Sequence, residues 1–169
     1  CAVFRESNRN AAGEFDGCGL LPEQVQGFGL GVMAARARWC AQEDGIDFAN
    51  GRVYGPHGSG LVVANGPTAY DEAVSARLTE RTVHANLEVR ALGFKPYLAP
   101  ALSSAAVSIL SLVRGQPYYA ALPLGGVWLG AQRRMTTLGP LQRREPLHPA
   151  LLARIEAARL ELEAFCHDA

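Results

Sequence analysis

Apolar positions cluster in short blocks along this chain, and each block has a period. From Gly29 to about Cys40, the residues Leu30, Val32, Met33, Ala34, Ala35, Ala37 and Trp39 predict a helix that is apolar over most of its circumference, with Arg36 and Arg38 as its only charges. Such a helix is expected to be buried or to lie in a subunit interface. Arg52-Val53-Tyr54 and Leu61 to Ala64 read as short strands on either side of a glycine-rich turn, GPHGSG. After Asn65-Gly66-Pro67, Thr68 and Asp71 have the spacing of a capping box for a long helix over about 69–92. Its predicted core stripe is Tyr70, Ala73, Val74, Val83, Leu87 and Leu92, and Gly93 ends it. Pro96 and Pro100 bend the chain ahead of a second helix at about 101–113, and two helices so joined are expected to pack together. Tyr118 to Leu124, Val127 to Ala131, Arg134 to Leu138 and Leu141 to Arg143, separated by Gly125-Gly126 and Gly139-Pro140, predict an antiparallel meander. A last helix over about Pro149 to Cys166 carries Leu152, Ile155, Leu162 and Phe165 on its apolar face. Strands and helices are segregated and no βαβ alternation occurs, so the predicted class is α+β, a meander packed with long helices.

Composition narrows the function classes. The 169 residues carry no net charge, are 49% hydrophobic and 19% charged. That suits one cored domain and supplies neither a basic field for nucleic acid nor an acidic tail. Apolar runs are too short for a membrane-spanning helix, and no membrane partner is expected. Cys1, Cys18, Cys40 and Cys166 form no CxxC pair, so no zinc site is expected, and reduced thiols in a cytoplasmic protein are. Lys95 is the only lysine. Because the sequence starts with Cys1 rather than methionine, a fragment of something longer is expected, with residues 1–16 as the remnant of a preceding domain or linker and 17–169 as the domain proper.

His57 is the candidate for chemistry. Gly55, Gly58 and Gly60 let the backbone turn sharply around it, and an imidazole held in such a turn can donate or accept a proton near neutral pH. Arg36 on an apolar helix needs a carboxylate, which is either the protein's own or one brought by a ligand. FGLGVMA, at Phe28 to Ala34, reads as a helix start rather than a nucleotide loop. His84 with Glu88 is expected to be a surface pair, and Arg133-Arg134 with Arg143-Arg144 a modest basic surface.

GCGLLPEQVQGFG, LGVMAARARW, VYGPHGSG and ANLEVRALGFKPYLAPALSSAAVSIL, followed by GVWLGAQRRMTTLGPLQRRE and the last helix, occur in an order that resembles the carboxyl-terminal substrate domain of the lactate and malate dehydrogenase family, from about Gly17 to Phe165. The resemblance implies that His57 exchanges a proton with a 2-oxo or 2-hydroxy acid, that Arg36 grips the substrate carboxylate, and that Asn8 contacts substrate and cofactor. Lys95 falls where the family shapes the substrate pocket with a small residue, and is expected either to bind substrate by reaching a second anionic group or to occlude the pocket or snorkel outward. It also implies NAD for the full-length protein, none held by this chain alone, a missing amino-terminal NAD-binding domain, and a homo-oligomer with the helix at 30–40 as a subunit contact. The departures are as specific. The aspartate that orients the histidine falls on Met33, and Pro56 and Ser59 replace acidic neighbours of His57. Removing the comparable aspartate from a serine-protease triad costs about four orders of magnitude in turnover, so a loss on that scale is expected here unless Asp44 or Asp47 substitutes. The isolated chain is expected to be inactive. The alternative is a non-catalytic relative kept for packing and subunit association.

Overall fold

The computed structural model describes residues 24–93, 105–142 and 144–168. In chain order the elements are α1 (Leu30–Glu43), β1 (Arg52–Tyr54), β2 (Val62–Ala64), α2 (Glu72–Ala91), α3 (Ala105–Val113), β3 (Tyr118–Leu124), β4 (Val127–Thr136), β5 (Gly139–Gln142) and α4 (Pro149–Asp168). The class is α+β, as the segregated pattern implies.

Strands β1 and β2 pair antiparallel with Val53 opposite Val63, and β3-β4-β5 form an antiparallel meander in that order. The two sheets meet at one bridge, Gly55 to Gly130, where the Gly55 N–H donates to the Gly130 carbonyl at 2.9 Å. The short β1-β2 hairpin is buried on both faces. One face, Val53 and Val63, packs with Leu30, Met33, Ala34, Ala37, Cys40 and Ala41 of α1 and Leu78 of α2. The other, Tyr54, Val62 and Ala64, packs with Ala131, Leu151 and Ala158. Small side chains on α1 let the hairpin approach closely, which is what its alanine content provides.

The edge of β2 is closed by hydroxyl groups. Val63 lies in a pair whose free backbone groups point away from β1, and its N–H donates to Thr79 Oγ1 at 3.0 Å while its carbonyl accepts from Ser75 Oγ. Arg154 of α4 then donates to Ser75 Oγ at 2.6 Å, to Tyr70 Oη at 2.7 Å and to Thr79 Oγ1 at 3.4 Å. An edge strand is thus covered by helices instead of a further strand.

That network corrects the predicted stripe on α2. The fully buried positions are Ser75, Leu78, Thr82 and Ala85, while Leu87 and Leu92 are exposed; of the predicted stripe, Val74 and Val83 do pack partly buried against the α1 core and Tyr70 against the other cluster. The helix starts later than predicted, with Asp71 as N-cap accepting from the Val74 N–H at 2.9 Å, and Thr68 takes no part. Gly93 does end it, at φ +85°. The short α3 rests on α1 and β3 rather than along α2: buried Ser108 abuts Gly31, where any side chain would collide with it. Val127 to Thr136 is one strand and not two, since the hairpin turn falls at Thr137-Leu138 and Gly139-Pro140 belongs to β5. On α4 the buried residues are Leu151 and Ala158, with Leu152 and Phe165 turned outward.

Candidate functional site

The His57 turn is fixed at both ends by close backbone contacts. Gly55 leaves β1 at φ +93°, and an added Cβ would lie 2.6 Å from the Gly60 carbonyl oxygen, so no side chain fits there. Leu61 N–H closes the turn by donating to the Gly58 carbonyl at 3.1 Å. His57 itself is exposed, and its Nδ1 lies 3.0 Å from the Gly29 carbonyl oxygen at the head of α1. A carbonyl only accepts, so this hydrogen bond assigns the hydrogen to Nδ1 and leaves the lone pair on Nε2. The geometry therefore holds the ring in the tautomer whose Nε2 accepts a proton, with a neutral dipole as its orienting partner.

The ring borders two cavities. One, of about 380 Å³, is walled by Phe28, Leu30, Trp128 and Leu162 together with Gly29, Gly55 and Gly130. The other, of about 450 Å³, includes Ser59, Glu161 and Phe165. Apolar walls with a few convergent polar groups are the usual make-up of a small-molecule site.

Arg36 is half-buried on α1, and its Nη1 lies 3.9 Å from the Met33 sulfur. Among the described residues no carboxylate pairs with it. It is not part of the wall of either His57 cavity. Arg36 is seven positions along from Gly29, a rise of about 10 Å, which puts it about two turns of α1 beyond the carbonyl that holds His57. Met33 is 1% exposed and belongs to the α1 core. Neither acid proposed as a substitute hydrogen-bonds His57, whose Nδ1 is on the Gly29 carbonyl. Asp44 is paired with Arg77 at 3.4 Å and with Arg81, and Asp47 Oδ1 accepts from the Ala49 N–H at 2.9 Å. Asn8 and Lys95 lie outside the described residues.

Other sequence candidates fall into structural roles. Glu88 pairs with Arg81 at 3.9 Å rather than with His84, whose Nδ1 sits 3.0 Å from the Glu80 carbonyl. Arg133 is 3% exposed and so does not belong to a basic surface. Among the described residues no cluster of histidine, cysteine or acidic side chains is arranged to hold a metal ion, and no helix is long and apolar enough to cross a membrane. Sequence reasoning missed the Gly29 carbonyl and the Trp128 wall. The only signal for the first was a glycine at a helix start, where a backbone group is accessible.

The order of elements and the sheet connectivity match part of the fold of malate and lactate dehydrogenases. The chain is structurally similar to malate dehydrogenase from Archaeoglobus fulgidus, solved in complex with NADH, with TM-score 0.70 and 16% identity over 89% of this chain and 54% of that one. It is similar also to L-lactate dehydrogenase from Clostridium thermocellum, with TM-score 0.66 and 15% identity over 89% and 58%. Malate dehydrogenase from Aeropyrum pernix matches with TM-score 0.63 and 18% identity over 89% and 57%. At these identities the likeness is one of fold, and it agrees with the resemblance read from the ordered motifs. The chain spans little more than half the length of each of these structures. No protein-family model and no curated protein matches the sequence.

Proposed function

We propose that this chain is the substrate half of an NAD-dependent 2-hydroxy-acid dehydrogenase of malate or lactate type, in which His57 Nε2 exchanges a proton with the substrate oxygen and Arg36 binds its carboxylate. The observation that carries the reading is the ring geometry at Gly29, which leaves Nε2 as the acceptor at the mouth of an apolar cavity. A histidine so placed contributes about 10²–10⁴ to a proton-transfer step. In this reading the enzyme is cytoplasmic and NAD is held by a separate amino-terminal domain. The exposed apolar residues of α3, Val107, Ile109, Leu110 and Val113, and Trp39 of α1 support a homo-oligomer. The test is to join the chain to its NAD-binding domain and measure NADH oxidation with pyruvate and oxaloacetate. His57→Gln is expected to cut turnover by about 10²-fold or more, and Arg36→Gln to raise KM. A joined protein that binds neither NADH nor a small 2-oxo acid by calorimetry sinks the proposal.

A specific observation favours a second reading, a non-catalytic relative retained for packing and association. Met33 is sealed in the core where the resembling family has its aspartate, and Arg36 stands apart from the His57 cavities. Met33→Asp distinguishes the two readings. A gain in turnover supports the enzyme, and continued inactivity despite NADH binding supports the structural role.

A further inference from the structure

Strand β4 turns Leu129, Ala131 and Arg133 to the same face, and all three are buried. Two of them are apolar and one is a full positive charge at 3% exposure. A guanidinium does not give up its proton in a protein, and burial only pushes its pKa down from a very high starting point. Its contacts among the described residues therefore decide how far the fold described meets the charge. Arg133 Nη2 donates to the Leu129 carbonyl at 3.2 Å, and among the described residues the buried Nε has no partner. Opposite it in the register is Tyr118, whose hydroxyl donates to Gln26 Oε1 at 2.9 Å. Burial pushes that phenol up from its ordinary value, so it is neutral and supplies no negative charge. An isolated buried cation is strongly unfavourable, and such orphaned groups point to an unseen water or ion; a full positive charge favours an anion.

The space beside Arg133 fits that need. A cavity of about 290 Å³ is lined by Pro117, Gln132, Arg133, Arg134 and Leu141. It offers one buried guanidinium, a second at an exposed position, an amide and two apolar walls. Its lining shares no residue with the cavities at His57.

We propose that this cavity binds a small oxyanion, the phosphate or carboxylate group of a small metabolite, with Arg133 as the buried fork and Arg134 closing over the mouth. Paired hydrogen bonds from guanidinium to oxyanion are the strongest available to the chain. Binding fills the requirement that the described fold leaves open, and it does so away from the proposed substrate.

Inorganic phosphate and malonate, titrated separately at constant ionic strength against chloride, are the probes, read by calorimetry and thermal melting of the chain. Saturable binding of either supports the site, and the preference between them identifies the head group. Arg134→Gln, at an exposed position, weakens the preferred anion about tenfold or more. Arg133→Met melts higher than the parent in chloride alone, because the unmet charge is gone, and no longer responds to the anion. His57→Ala leaves the affinity unchanged. The proposal is overturned if neither anion binds in the millimolar range, or if Arg133→Met is destabilised in chloride, which would mean the chain itself supplies the counter-charge. Loss of binding with His57→Ala but not with Arg134→Gln overturns it too, by moving the anion to the other cavity.

Discussion

The Gly55–Gly130 bridge predicts a large effect from adding a single methyl group. An alanine Cβ at Gly130 would stand 2.5 Å from the Gly55 carbonyl oxygen and 2.7 Å from Leu30 Cδ2. Leu30 is held in the core at 3% exposure, and Gly55 is pinned by its left-handed backbone and its contact with Gly60. Neither neighbour yields cheaply. Overpacking of this kind costs about 1–3 kcal/mol, and loss of the 2.9 Å bridge hydrogen bond adds about 0.5–1.5 kcal/mol. Gly130→Ala should therefore destabilise the chain by about 1.5–4.5 kcal/mol. Urea unfolding followed by tryptophan fluorescence reads this directly, because Trp128 is two residues away along β4. Gly45→Ala is the comparison, since it too has a positive φ, +65°, but has open space around it, and its cost should be only about 1–2 kcal/mol. Because Gly55 is two residues from His57, Gly130→Ala should also shift the His57 ring resonances. Unchanged resonances together with a loss below about 0.5 kcal/mol would refute the claim that this bridge positions the turn.

Three further outcomes follow from the same structure. Arg154→Met removes two short hydrogen bonds from a charged donor and should cost about 2–3 kcal/mol in urea unfolding. Burial raises the pKa of Cys40, Tyr118 and Tyr119 above the ordinary 9.0 for the thiol and 10.0 for the phenols. The unfolded chain then releases protons first, so stability is intact below about pH 9 and falls as pH rises beyond it. Tyr119→Phe should lessen that fall, as measured by denaturant midpoints across the alkaline range. Met33→Asp puts a carboxylate among Leu30, Ala37 and Cys40 with Arg36 as its nearest cation, and should lower stability by about 2–5 kcal/mol whatever it does to turnover.

Much of the fold was legible because its signals are local. The alanine-rich run of α1, the glycines at 93 and 125–126, and the strands flanking the His57 turn each depend on neighbouring residues alone. The core face of α2 was legible only at Val74 and Val83, because Ser75, Thr79 and Thr82 look like solvent-facing residues until β2 presents its unpaired edge to them. Arg133 was misread for the same reason. A pair of adjacent arginines looks like surface, but strand alternation sends one of them inward. The site shows the same division. His57 and Arg36 stood out by residue type, whereas the Gly29 carbonyl has no side chain to announce it, and the ties of Asp44 and Asp47 depend on where other elements fall.

Arg154 gives this chain a timetable as well as a joint. Its partners Tyr70 and Ser75 precede it by 84 and 79 residues, which at about 5–20 residues per second of synthesis is a wait of about 4–17 s. Hairpins and helices form in microseconds, so β1, β2 and α2 exist long before the guanidinium that secures their shared edge. During that interval the hydroxyl-lined groove of α2 holds β2 without its clasp, and translation speed, more than chain topology, sets when the molecule closes.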